Sequence, residues 1–346
     1  MSTITVLGAG AMGSALCTPV ARAGWDVRLW GTWLDDHLLD ALEAGRPHPR
    51  TNAPLPSSVA LFRSDDLEAA LDGADVVVMA VASVGVPRVT EMALDGITRA
   101  RALWLTSKGF SPDAEGRVQL LPDAIRRIAG DRGLPPIVAI AGPVKANECG
   151  VEEPTATIFG CRDLAVAQEF ARMARTDRYA IAATDDEVGV EICAPMKNIY
   201  AIPLGAADGL EERTGVPHHN LKAAAFARAV EEMSLLGRAL GARPETAFGL
   251  AGVGDLEVTG LSGRNKVYGT RLGRGEGAAE ALEEMTRLEQ TVEDVPAVAL
   301  ATRLVEQSAP HLVGELRLLA AVARLVAGGV DDPQELLIPA VLPARP

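Results

Sequence analysis

Several polar islands interrupt otherwise apolar stretches, and their residue types suit chemistry on an oxygen-rich anion. Ser107-Lys108-Gly109 directly follows the apolar run Leu103-Trp104-Leu105-Thr106. Met196-Lys197-Asn198 lies in the nearly unbroken apolar stretch 192–204. An ammonium there is either buried for a purpose or tipped onto an edge of the helix. In residues 249–259 glycines surround Asp255, and Thr259 follows four positions later, so the two share a face if the segment is helical. Gly263-Arg264-Asn265 sets a guanidinium beside an amide. That pair suits a phosphate monoester, because Arg offers paired donors and Asn adds another.

A different kind of site opens the chain. Gly8-Ala9-Gly10-Ala11-Met12-Gly13 follows Ile4-Thr5-Val6-Leu7 and precedes a helical stretch. In that context G-x-G-x-x-G points to a dinucleotide, the alternative being a merely structural glycine turn. The first glycine permits the turn, the second lets backbone approach a pyrophosphate, and the third lets helix and strand pack closely. The helix start adds N–H groups and partial positive charge, with Ala11 and Met12 in its first turn. Pro19 inside that helix predicts a kink. The second strand of such a unit usually ends in an acid that bonds the ribose 2′-OH of NAD. Here it ends Leu29-Trp30-Gly31-Thr32-Trp33, with no carboxylate before Asp35. The Thr32 hydroxyl with Arg46 or Arg50 suits a 2′-phosphate instead, which favours NADP over NAD. If those arginines are plain loop residues, either cofactor is acceptable.

The elements that must position these groups follow from hydropathy patterning. Strands are expected at 3–7, 26–30, 75–81, 102–106, 137–141, 155–159 and 179–183. Val76-Val77-Val78-Met79-Ala80-Val81 is apolar throughout, as in a parallel strand covered on both faces. Strands alternating with helices imply an α/β, doubly wound, mostly parallel Rossmann-type sheet over residues 1–185. Beyond it helices dominate, at 186–210, 220–240, 277–284, 295–307 and 312–330, with Asn220 as a cap and Gly241 as a stop. Residues 186–346 are therefore expected to form an all-helical domain, and the polar islands within it make it the candidate substrate-binding domain.

Composition excludes several classes. Against 33 Lys and Arg stand 46 Asp and Glu, a formal charge of −13, which a nucleic-acid backbone repels. Aromatic residues are 4%, too few for stacking platforms. Cys17, Cys149, Cys161 and Cys193 form no C-x-x-C pattern and read as free thiols of a cytoplasmic protein. No signal peptide and no membrane-inserted segment are expected; stretch 312–330 carries Glu315, Arg317 and Arg324 at amphipathic spacing. His218-His219 has no clear third ligand nearby, so no metal is expected. His37, His48 and His311 read as surface or capping residues.

Taken in order, the islands resemble those of NAD(P)-dependent glycerol-3-phosphate dehydrogenases. The resemblance runs from Gly8 to about Glu293 and also includes Ala141-Gly142-Pro143 with Glu148, Met196 through Ile202, Asn220 through Met233, Gly252-Val253-Gly254-Asp255-Leu256 and Gln290-Thr291-Val292-Glu293. It implies that Lys197 is the general acid toward the ketone oxygen of dihydroxyacetone phosphate, giving sn-glycerol 3-phosphate, with Lys108 and Asp255 near that centre. It implies substrate contacts from Lys108, Asn198, Thr259, Arg264 and Asn265. Cofactor contacts are implied for Lys108, Ala146, Arg264 and Glu293, beside the glycine turn and the Thr32 and Arg50 region. The chemistry fits: hydride arriving at a carbonyl carbon leaves charge on oxygen, which a cation or proton donor must meet. A second cation and burial would lower the lysine's affinity for its proton, while Asp255 would raise it. A homodimer is expected only by analogy.

The chain departs from the family pattern in places. Met12 replaces an aromatic, and Gly142-Pro143-Val144-Lys145-Ala146 loses a hydroxyl and gains a cation. Residues 211–219 replace a glycine-rich stretch, and Asp294-Val295 stands where Gly-Tyr is usual. The 211–219 change leaves room for the same chemistry on another ketose or polyol phosphate. A non-catalytic NAD(P) sensor is a further alternative, against which Lys197, Lys108, Asp255 and Arg264 together argue.

Overall fold

The structure is a computed structural model that describes residues 2–288, 292 and 295–342. The chain divides into two compact units: Met1–Ser111 with Leu120–Glu191, and Pro112–Gln119 with Ile192–Pro346.

The first unit is built on β1 (Thr3–Leu7), β2 (Asp26–Trp30), β3 (Ala60–Phe62), β4 (Val76–Met79), β5 (Ala102–Leu105), β8 (Ile137–Ala141), β9 (Thr155–Gly160) and β10 (Tyr179–Thr184), while the unit boundary falls within the short pair β6 (Phe110–Pro112) and β7 (Val118–Leu120). The main sheet has the order β10-β9-β8-β5-β4-β1-β2-β3. Every neighbour pair in it is parallel except β8 with β9. Strand order reverses between β1 and β4, the switch point where such sheets bind ligands beyond their carboxyl ends.

The helices are α1 (Ala11–Arg22), α2 (Asp36–Glu43), α3 (Leu67–Leu71), α4 (Val86–Arg99), α5 (Leu121–Ala129), α6 (Ala146–Cys149) and α7 (Leu164–Ala174). Alternation along β4 explains its continuous apolar run. Val76 and Val78 face one core with Leu16 of α1, Trp104 and Phe170 of α7. Val77 and Met79 face the other with Val89 and Ile97 of α4 and Ile125 of α5. Trp104 meets Trp25, Phe159 and Phe170 edge-on, with ring centroids 5.8, 5.0 and 5.7 Å apart. Helix α1 runs through Pro19, which has no N–H for the Ala15 carbonyl. The Cys149 thiol approaches that oxygen instead, at 3.8 Å. The four cysteines are buried free thiols, and burial pushes Cys149 up to about 12.

The second unit continues α8 (Glu187–Thr214) from Ile192 and adds α9 (His219–Ala239), α10 (Pro244–Phe248), α11 (Asp255–Ser262), α12 (Arg264–Arg274), α13 (Ala278–Arg287), α14 (Val295–Ser308), α15 (Arg317–Ala327) and α16 (Gln334–Val341). A glycine seam joins α8 and α12. A Cβ on Gly205 would lie 1.9 Å from Lys266 O, on Gly209 2.0 Å from Thr270 O, and on Gly269 1.9 Å from Ile202 O. Only hydrogen fits there, so the two helices touch backbone to backbone. Glu232 of α9 is a buried hub. It accepts from Tyr200 Oη at 2.8 Å, Arg228 Nε at 2.9 Å, and the Leu318 and Leu319 N–H groups at 2.7 and 2.9 Å. Those two N–H groups open α15, so the carboxylate caps that helix.

Some expectations need correction. The helix expected over 312–330 is Arg317–Ala327, preceded by a tight turn at Pro310–Leu312. Capping position of α9 falls on His218, and Asn220 lies in its first turn. Gly241 does end α9, at φ +90°. The short strands β3, β6 and β7 are too brief for periodicity to reveal. No helix among the described residues is long and apolar enough to cross a membrane.

Candidate functional site

Within the first unit the glycine turn follows β1 at the switch point. Gly8 takes φ +113°, and a Cβ on Gly13 would lie 2.1 Å from Gly8 O. A Cβ on Gly10 would meet no protein atom within 4 Å. The first and third glycines therefore serve the turn and its packing, while the second borders open space at the start of α1. That asymmetry fits a pyrophosphate approaching Gly10. Gly10 is also the N-cap of α1 and supplies no side-chain cap. Ala11, Met12 and Gly13 form the first turn behind it.

Asp35 follows β2 closely and turns inward. One of its oxygens, Oδ2, accepts from Thr32 N–H and Thr32 Oγ1 at 2.9 Å each and from Ala9 N–H at 3.3 Å. Thr32 is buried, and its hydroxyl proton goes to Asp35 rather than outward. Arg46 and Arg50 are exposed, and neither guanidinium forms an ion pair with a described residue. Of the two readings expected for His48, surface or capping, burial at 1% exposure excludes the first. Its ring nitrogens serve the glycine turn and the backbone of Arg50. His37 and His311 are exposed. Ala146 is half-buried at the start of α6.

Lys108 stands half-buried beyond β5, where Ser107 Oγ donates to Val81 O at 2.6 Å. Sequence reasoning missed its neighbour Glu191, which is 2% exposed with Oε2 lacking any hydrogen bond. Burial pushes this carboxyl well above its ordinary range. Glu187 and Asp123 push it further, against Lys108 and Arg126. An acid in the apolar run Val188-Gly189-Val190-Glu191-Ile192 was the available signal, the same kind that singled out Lys197. Nearby Glu187 is held by Arg126 at 2.7 Å and Arg162 at 3.1 Å.

The second unit brings together the other polar islands. Lys197 is 7% exposed and Asp255 fully buried. Lys197 Nζ donates to Asp255 Oδ1 at 2.5 Å and to Thr259 Oγ1 at 2.8 Å. Thr259 Oγ1 donates to Asp255 O at 2.7 Å, the helical relation that their four-residue spacing predicts. The edge placement considered for Lys197 is therefore excluded. A widened turn at Leu250–Gly254 delivers Asp255, where a Cβ on Gly252 would lie 1.9 Å from Ala247 O. Pro195 and Pro203 flank Lys197 within α8 and remove backbone donors on either side of it. Arg264 opens α12, exposed, with Asn265 buried behind it and Asn198 half-buried on α8. Asp208 of α8 binds Lys222 Nζ at 2.8 Å and Lys266 Nζ at 2.9 Å. Burial raises the Asp208 carboxyl, and the two ammonium groups more than reverse this, leaving it below its ordinary range. The stretch expected as a loop at 211–219 is the end of α8 through Thr214, a short turn, and the start of α9 at His219; His218 bonds the Val216 carbonyl at 2.7 Å and His219 lies 3.8 Å from Glu211. Glu293 lies outside the described residues.

A sheet unit with a dinucleotide cradle and a helical unit holding a buried lysine define a nicotinamide-dependent oxidoreductase as the class. Residues 3–167 match the family model for the NAD-dependent glycerol-3-phosphate dehydrogenase N-terminus, and residues 186–337 match that for its C-terminus. An NADP(+)-dependent glycerol-3-phosphate dehydrogenase of Archaeoglobus fulgidus is 37% identical over 82% of this chain and 84% of its own. A glycerol-3-phosphate dehydrogenase [NAD(P)+] of Halorhodospira halophila is 36% identical over 100% of this chain and 98% of its own. The crystal structure of glycerol-3-phosphate dehydrogenase from Coxiella burnetii aligns with TM-score 0.83 and 29% identity over 98% of both chains. The chain belongs to the NAD(P)-dependent glycerol-3-phosphate dehydrogenase family.

Proposed function

We propose that this enzyme reduces dihydroxyacetone phosphate reversibly to sn-glycerol 3-phosphate, using NADPH in preference to NADH. The carrying observation is the buried Lys197–Asp255–Thr259 triangle on α8 and α11. A reduced nicotinamide dinucleotide, when bound, supplies hydride to the carbonyl carbon. Lys197 then meets the charge developing on the ketone oxygen and delivers the proton. Asp255 and Thr259 hold the ammonium in place and exclude water from its far side. Arg264 and Asn265, at the start of α12, take the substrate phosphate, with Asn198 bonding a substrate hydroxyl. The first unit holds the cofactor at the turn from Gly8 to Gly13, and Arg50 takes the 2′-phosphate. The NADP preference rests on Asp35: the oxygen it turns toward the sheet takes three protein donors, and exposed arginines follow it in sequence. Four buried thiols accord with a reducing cytoplasm, and a homodimer belongs to the same proposal by analogy alone.

The test is purified protein with dihydroxyacetone phosphate and either reduced cofactor, followed by nicotinamide absorbance. Faster consumption of NADPH is expected. No consumption with either cofactor refutes the assignment. Faster turnover of a longer phosphorylated ketone in a substrate panel moves the assignment to that substrate.

A further inference from the structure

His48 lies outside the chemistry above, yet it is 1% exposed and touches two segments assigned to the cofactor. Its Nε2 lies 3.1 Å from Ala9 O, inside the glycine turn, and its Nδ1 accepts the Arg50 N–H at 3.2 Å. A donor on Nδ1 leaves that nitrogen without a proton. The ring proton therefore sits on Nε2 and is donated to Ala9 O. The His48 backbone holds the same turn: its N–H donates to Ala53 O at 2.9 Å, and its carbonyl accepts from Asn52 N–H at 2.8 Å and Thr51 N–H at 3.2 Å. Asn52 closes the turn at φ +55°. Arg50 thus stands on a loop hung from one residue. On the other side Ala9 N–H is held by Asp35, and Ser14 Oγ gives Ala9 O a second donor at 3.0 Å.

We propose that His48 is a positioning residue for cofactor binding, tying the glycine turn to the turn that presents Arg50, so that diphosphate and 2′-phosphate contacts are set together. The inference rests on the cofactor reading above. A site fixed before the ligand arrives loses less freedom on binding. The neutral ring is required, since a proton on Nδ1 would oppose the Arg50 N–H. Burial is the main cause holding His48 below the ordinary imidazole value. The charges of Arg50 and His37 act the same way, while the Ala9 bond and Asp35 oppose it. Dinucleotide affinity should therefore be full near neutrality and fall as pH drops through that lowered value.

The experiment measures dissociation constants for NADPH and NADH by titration calorimetry, without substrate, in the parent, His48→Ala, His48→Asn and His48→Gln. Thermal melting checks that each variant is folded. His48→Ala should weaken NADPH by about tenfold or more, the loss of about 1.4 kcal/mol of binding, and NADH by less. Gln places its amide near Nε2 and should restore the affinity shared by both cofactors. Asn places its oxygen near Nδ1 and should restore the NADPH-to-NADH ratio. Turnover at saturating cofactor should stay within about twofold, so the effect falls on KM rather than kcat. Both non-titrating amides should also lose the acid limb of parent binding. Unchanged affinities in all three variants, or equal weakening of both cofactors with no selective rescue, overturn the inference and leave the proposed function standing. If His48→Ala does not fold, the Asn and Gln variants and the pH profile of the parent decide alone. A parent that binds neither dinucleotide overturns both.

Discussion

Replacing Asp255 by Leu removes one charge from a pair in which the carboxylate side chain is 0% and the lysine side chain 8% exposed. Two unit charges 2.5 Å apart attract by about 7 kcal/mol at an effective dielectric of ~20, and desolvation of both groups offsets much of this. Either single change strands the other charge, at a cost of about 3–5 kcal/mol. For a unit of this size that lowers the melting temperature by roughly 6–20 °C. Changing both at once, to Lys197→Met with Asp255→Leu, leaves no stranded charge and should return stability to within about 1 kcal/mol of the parent. The coupling in the double-mutant cycle should then be about 3 kcal/mol or more, read by denaturant titration. Activity must follow a different rule. Lys197→Met should lower kcat by about 100-fold to 10,000-fold, and the double variant should be just as slow although stable again. The reasoning is refuted if the double variant loses the sum of the single losses, or if Lys197→Met turns over within about threefold of the parent.

Glu191→Gln should raise the melting temperature near pH 7 and leave it unchanged near pH 4. The folded-state carboxyl titrates above its unfolded value, so its contribution is intact below the unfolded value and is lost as pH rises; a melting-temperature profile checks this. Glu232→Ala should destabilise by about 3–5 kcal/mol in urea titration, because Arg228 and two N–H groups of α15 lose a buried acceptor. Gly269→Ala should exceed about 4 kcal/mol or yield no folded protein, since the new methyl would lie 1.9 Å from Ile202 O; expression with circular dichroism reads it. Asp208→Asn should flatten the acid limb of stability, because a depressed carboxyl loses its contribution as pH falls through its folded value.

Long periodic elements were legible in the sequence. The strands at 3–7, 26–30 and 137–141 coincide with β1, β2 and β8, because core packing and local patterning demand the same residues there. The Lys197–Asp255–Thr259 grouping was legible only in part. Four-residue spacing linked Asp255 to Thr259, but nothing local linked either to Lys197, 58 positions away from Asp255. Glu191 was hidden because one acid in an apolar helix looks like an edge residue until burial is known. The burial of His48 was not legible for a similar reason: its partners are backbone atoms, Ala9 O and Arg50 N, which carry no residue-type signature. Thr32 shows the converse, where a hydroxyl suggests a phosphate ligand and the fold turns it toward Asp35 instead.

Bare peptide planes meeting where α8 crosses α12 act as a gauge block for the molecule. The spacing between the segment bearing Lys197 and the one beginning at Arg264 is set by the radii of hydrogen and carbonyl oxygen, which no drift of neighbouring side chains can alter. A methyl group anywhere along this seam would have to part the two helices before it could be accommodated, so the placement of Lys197 relative to Arg264 answers to main-chain contact rather than to replaceable side-chain packing.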